Sequence, residues 1–262
     1  MRKIKIWNKS ISDGVALYDN SILVTDFQGF GSKFKVQMNN KKVRLIEPDF
    51  ERMALNLYFG VEGNAYEDYT DLIELITENG LDNLVIEYDY GEGSRYCDVV
   101  LETAPKTQKS TFGVLNETFV FQRLTPWYQY VAWMGGSLHL PYTKTIENTT
   151  PYNIELHFTF SSEPGETGVM QIKKLNLSDA EISRIEYDIT ESKSTVEIDG
   201  ETKTVTKTHY STGIKTNTYD NLNHAYASFI IFEPGEKGKI RLESLGPYMD
   251  YVGFIYKFWL SE

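Results

Sequence analysis

The sequence predicts a mainly β protein of two domains: an N-terminal β-sandwich or barrel carrying one α-helix and a β-hairpin, then a C-terminal antiparallel β-sandwich. Three observations predict it. Most apolar residues alternate with polar ones at period two in short runs between Gly, Pro and Asn turns. Only one long segment keeps helical spacing. Aromatics make up 14% of the chain, with 18 tyrosines, and these side chains suit pleated, half-buried surfaces.

In chain order, Ile22 to Phe27, Phe34 to Met38, Lys42 to Ile46 and Met53 to Phe59 read as strands, broken at Gly29-Phe30-Gly31, Asn39-Asn40 and Pro48-Asp49. The helix is expected over residues 64–79. Tyr69, Leu72, Ile73 and Ile76 line one face, Asn64 can cap the start, and Asn79-Gly80 can end it. Its other face carries Glu67, Asp68, Asp71, Glu74 and Glu78 with no basic residue among them, either a solvated face or one kept negative for a purpose. Leu84 to Tyr90, the turn Gly91-Glu92-Gly93-Ser94 and Tyr96 to Leu101 form a hairpin. A strand pair around Pro105 then leads through Phe112 to Leu124, and Pro126-Trp127-Tyr128 closes a first domain of residues 1–128.

Residues 129–262 are expected to form the second domain. Ile154, Leu156, Phe158 and Phe160 alternate with Glu155, His157 and Thr159, as in a strand with one wet face. Val196 and Ile198 lead into Asp199-Gly200, a two-residue hairpin signal, and Thr202, Thr204 and Thr206 return. Phe229 to Phe232, Ile240 to Leu242 and Phe254 to Leu260 add strands, with turns at Pro234-Gly235 and Gly246-Pro247. Only Ser178 to Arg184 suggests a short helix.

Composition removes function classes. The 26 Lys and Arg residues stand against 37 Asp and Glu, and the net charge of −11 repels phosphate backbones and anionic lipid. No signal-peptide core and no run approaching ~18 apolar residues occurs, so no membrane span is expected. Cys97 is the one cysteine and sits in an alternating strand, which fits a buried thiol in a protein made in a reducing cytosol.

The pattern points to no enzyme, cofactor or metal. His139, His157, His209 and His224 lack metal-ligand spacing. There is no nucleophile elbow and no phosphate loop. Carboxylate pairs for glycoside hydrolysis always exist among 37 acids, so their presence carries little information. The aromatic run Trp127, Tyr128, Tyr130 and Trp133 has two readings, a filling between the two domains or an exposed platform for a partner or a sugar.

The order of these features, with the strand Phe119-Val120-Phe121-Gln122-Arg123-Leu124-Thr125-Pro126-Trp127-Tyr128, resembles the distal tail proteins of siphophages. Ile146-Glu147-Asn148-Thr149-Thr150-Pro151, Glu197-Ile198-Asp199-Gly200 and Phe232-Glu233-Pro234-Gly235 extend the resemblance over nearly the whole chain. It implies a structural virion protein, assembled in the host cytoplasm into a homo-hexameric ring at the end of the tail. N-terminal domains would form the ring and galectin-like C-terminal domains would project outward. Such a ring joins the tail tube protein to the tail-tip hub and serves as a platform for receptor-binding protein. DNA passes its channel without specific binding, and Glu67, Asp71, Glu74 and Glu78 are candidates for a lumen-facing acidic face. Two rival expectations stand beside it: a carbohydrate-binding module for cell-wall polysaccharide, and a cell-wall hydrolase.

Overall fold

The computed structural model describes residues 3–8, 14–16, 22–29, 32–39, 42–50, 52–60, 64–77, 84–105, 113–136, 140–190, 193–225 and 229–260. The chain divides into two compact units, Met1–Gln129 with Leu260–Glu262, and Tyr130–Trp259.

The first unit contains β1 (Lys3–Asn8), β2 (Gly14–Ala16), β3 (Ile22–Gln28), β4 (Ser32–Asn39), β5 (Lys42–Phe50), β6 (Arg52–Phe59), α1 (Ala65–Thr77), β7 (Leu84–Asp89), β8 (Ser94–Thr103) and β9 (Leu115–Arg123). Antiparallel pairings link them in the order β2-β1-β7-β8-β9-β6-β3, while β4 and β5 form a separate hairpin. Alternation explains the inner face. Met53, Leu55, Leu57 and Phe59 of β6 point inward and meet Leu115, Phe119 and Phe121 of β9. Leu72 and Ile76 of α1 join the same core, which supplies the tertiary packing that a 13-residue helix needs to be stable. The β7–β8 turn is where glycine is needed, since Gly91 has φ 94° and its N–H donates to Asp89 Oδ1 at 2.7 Å.

The expected break at Pro48-Asp49 is absent, because β5 runs on to Phe50 with Phe34 opposite Pro48. Among the described residues β5 pairs only with β4, which makes it an edge strand, the place where a sheet tolerates proline. The expected turn residues Phe30, Gly31 and Asn40, the strand residue Phe112 and the helix stop Asn79-Gly80 lie outside the described residues.

The second unit takes in β10 (Tyr128–Gly135) from Tyr130 onward, then β11 (Tyr142–Glu147), β12 (Ile154–Ser162), β13 (Gly168–Leu175), β14 (Glu181–Ile189), β15 (Ser194–Asp199), β16 (Thr204–His209), β17 (Lys215–Asn217), β18 (Ile231–Phe232), β19 (Lys237–Leu245) and β20 (Met249–Trp259). One sheet runs β17-β16-β15-β12-β20-β10, with β18 also paired to β12, and the other β11-β19-β13-β14. Ile154, Leu156, Phe158 and Phe160 of the first sheet share a core with Met170, Ile172, Ile240 and Leu242 of the second. Each such side chain contributes about 1.5–3 kcal/mol on full burial.

Two expectations fail here. Ser178 to Arg184 is no helix: Asn176 Oδ1 accepts the N–H groups of Ser178 and Ala180, each at 2.9 Å, Asp179 has φ 65°, and β14 starts at Glu181. The side-chain acceptor gives this backbone a turn in place of a helical ladder. The Asp199-Gly200 hairpin forms, but through a longer turn, with Asp199 opposite Thr204. Asp199 Oδ1 accepts from Glu201 and Thr202, and the positive φ falls on Lys203. Gly200 is required for close approach, since a Cβ there would lie 2.4 Å from the Leu156 carbonyl oxygen.

Candidate assembly surface

The aromatic run is divided by its environment. Trp127 is 3% exposed in the first unit's core, 6.3 Å from the Tyr88 ring, with the Arg123 guanidinium 5.3 Å from its own ring. Its carbonyl accepts the Leu260 N–H at 2.9 Å. Tyr128 is fully buried, stacks on Tyr96 and donates its hydroxyl to Asp98 Oδ1 at 2.7 Å. Both residues are therefore core of the first unit.

Beyond them, strand alternation sorts β10 into two faces. Val131 and Trp133 pack on the second unit's core, where the Trp133 ring stacks on Tyr142 at 3.7 Å. Tyr130 and Met134 point the other way, 45% and 68% exposed, with exposed Ala132 between them. The sequence signal for this split was the spacing: Tyr130 and Trp133 differ by an odd number of positions and so take opposite faces. Met134, absent from the sequence-derived set, is the more exposed of the outward pair.

The helix presents its acids as its periodicity requires. Asn64 Oδ1 accepts the Tyr66 N–H at 3.1 Å and starts α1. Leu72 and Ile76 go inward, the Tyr69 hydroxyl donates to the Pro105 carbonyl, and Glu67, Asp71 and Glu74 are exposed. Glu67 lies near the positive end of the helix dipole, whereas the last turn holds no basic residue to balance Glu74. Glu78 lies outside the described residues.

The remaining reactive side chains are tied up locally. Cys97 is fully buried on β8. His157 Nδ1 stands 4.0 Å from Asp199, His209 Nδ1 pairs with the Ser211 hydroxyl, and the His224 ring faces Tyr219; His139 lies outside the described residues. Among the described residues no group of three or more His, Cys, Asp or Glu is placed to hold a metal, and no helix is long and apolar enough to cross a membrane. Burial pushes the Glu243 carboxyl up, but hydrogen bonds and charge from Lys173 and Arg241 outweigh it and hold the group below its ordinary value. Glu186 is lowered in the same way by Arg184, Asn223 and Gln171. At these two residues the direction is opposite to what a glycosidase acid needs, whereas burial raises the Glu117 carboxyl.

Residues 3–124 match the family model of the distal tail protein N-terminal domain. Over its whole length the chain is similar to a chain of the phage p2 baseplate in its activated conformation with Sr, with TM-score 0.69, 16% identity and 98% of each chain covered. It is also similar to the Dit (gp 19.1) protein of phage SPP1, described as a paradigm of the hub adsorption apparatus in Gram-positive-infecting phages, with TM-score 0.55 and 10% identity over 98% of this chain and 99% of that one. No curated protein matches. What the match shows is a distal tail protein N-terminal domain over residues 3–124, and what the solved structures show is a shared fold over the whole chain.

Proposed function

We propose that the protein is a structural component of a phage tail tip that forms a homo-hexameric ring at the distal end of the tail tube. In this reading the N-terminal unit makes the ring, and the C-terminal unit, a galectin-like sandwich, projects as a platform for the hub and receptor-binding protein. The observation that carries it is the match of residues 3–124 to the distal tail N-terminal domain, together with a fold shared over the full chain with baseplate and distal tail structures. Assembly takes place in the host cytoplasm, and the virion tail is the final location. Of the aromatic run, Tyr130 with Met134 is the part available to a partner, because Trp127 and Tyr128 are buried and Trp133 is stacked. Glu67, Asp71 and Glu74 face the channel in this reading and repel passing DNA.

Light scattering of the full chain, alone and with tail tube and hub proteins, tests the ring. A hexamer mass is expected; a monomer under every one of these conditions overturns the reading. Tyr130→Ala with Met134→Ala should weaken capture of a partner while leaving the chain folded, as loss of exposed contact residues at an interface does. The carbohydrate-module reading gains nothing from Trp127, Tyr128 and Trp133, whose faces are occupied by other side chains.

A further inference from the structure

The second unit holds an open cleft of about 560 Å³. Leu140 and Pro141, Glu166, and the β19–β20 connection through Leu245, Pro247 and Tyr248 line it. The cleft is built firmly. The Tyr248 N–H donates to Glu166 Oε2 at 3.1 Å, the Tyr248 carbonyl accepts the Glu163 N–H at 3.2 Å, and the Ser244 hydroxyl donates to the Pro247 carbonyl at 2.6 Å. Behind this wall Gly168 lies so close that a Cβ would stand 2.4 Å from the Leu245 carbonyl oxygen.

Its chemistry is two-sided. Tyr248 and Leu245 are 49% and 50% exposed, a large apolar share for two adjacent wall residues. Glu243, also on the wall, has its charge met by Lys173 and Arg241. Glu166 does not: among the described residues no lysine, arginine or histidine pairs with it, and its carboxylate accepts only the Tyr248 N–H. An apolar wall with an aromatic ring, next to an uncompensated negative charge, matches a group with an aliphatic stem and a cationic head. The stem of such a group would pack on Leu245 and the prolines, with its head at the Glu166 carboxylate beside Tyr248.

We propose that this cleft is a docking site for an arginine or lysine side chain of a partner protein. The proposal rests on the platform reading above, which supplies a reason for a protein partner. It deepens that reading by naming a site and a side-chain chemistry. Charge complementarity selects the occupant: a chain of net charge −11 recruits a basic segment more readily than an acidic one.

The test uses the full chain and NMR titration with Nα-acetyl-arginine amide, against its neutral isostere Nα-acetyl-citrulline amide. Glucosamine and N-acetylglucosamine form the saccharide arm. Shifts at Leu245 and Tyr248 are expected with the arginine probe, with affinity about two- to fivefold above citrulline, the span of an exposed ion pair. Glu166→Gln keeps an acceptor for the Tyr248 N–H and removes only the charge, so it should abolish that preference. Tyr248→Phe should retain binding and Tyr248→Ala should lose most of it. Equal binding of the two amides, a preference that survives Glu166→Gln, or stronger binding of either sugar would overturn the proposal. Because the titration reads the cleft and light scattering reads the ring, failure of one is distinguishable from failure of the other.

Discussion

Glu117 on β9 and Glu186 on β14 are both buried carboxylates on antiparallel strands, one in each unit, yet their surroundings differ. Glu186 accepts from Gln171 Nε2 at 2.6 Å, Arg184 Nη1 at 2.8 Å and Asn223 Nδ2 at 2.9 Å. Glu117 sits opposite Leu57, and no described lysine or arginine pairs with it. Burial accordingly pushes the Glu117 carboxyl up, while at Glu186 the partners outweigh burial and bring it down. Both units combine an apolar core with polar contacts such as Tyr128 to Asp98 in the first, but around these two carboxylates only the second supplies a set of hydrogen-bond partners among the described residues. The difference locates where each unit is vulnerable: the first to lost volume, the second to lost hydrogen-bond partners.

The largest effect should come from the first unit's packing. Trp127→Ala removes a ring enclosed by Tyr88 and Arg123 and is expected to cost about 3–5 kcal/mol, read as a lower denaturant midpoint. Hydrogen exchange should show the loss in strands β1 and β6 to β9. Loss spread equally over β12 to β15 would mean that the two units do not carry separate cores.

Second in size is the network. Glu186→Ala leaves the Gln171 and Asn223 amides and the Arg184 guanidinium short of an acceptor, at a cost of about 1–3 kcal/mol. Isothermal denaturation at neutral pH measures it. A cost near zero would show that water replaces the carboxylate and that the network adds little to the second unit.

Much of this contrast was not legible in the sequence, for a physical reason. Period-two alternation located the strands around Met53, Leu84 and Ile154, and helical spacing located α1, because those signals are local. Glu117 and Glu186 both occur in strand patterns, and nothing nearby in sequence says that Asn223 and Gln171 will reach only one of them. In the aromatic run the odd spacing of Tyr130 and Trp133 separates their faces, but only the chain path shows that Trp127 and Tyr128 are buried in one unit while Tyr130 turns outward at the start of the other. The cleft of Leu140, Glu166 and Tyr248 joins three separate segments and left no motif to read. Asp199-Gly200 gave the right hairpin for a different cause, a glycine kept small by the Leu156 carbonyl.

The smallest expected effect has the opposite sign and tests the comparison most closely. Because the folded-state value of Glu117 is raised from 4.5, the native first unit prefers the neutral acid, and ionisation at neutral pH opposes folding. That penalty is present above the raised value and is relieved as pH falls through it. Glu117→Gln should therefore stabilise the protein at pH 7, by less than either loss above, with the gain shrinking as pH falls toward 4.5. Glu186 runs the other way: its folded-state value is lowered, so its contribution is complete above its unfolded value near 4.5 and is lost as pH falls through the lowered one. Melting curves of Glu117→Gln and the parent chain between pH 7 and pH 4 should converge on acidification. If Glu117→Gln instead lowers the melting temperature at pH 7, the carboxylate is making a contact that holds the first unit together, and the two units are more alike than their hydrogen bonds indicate.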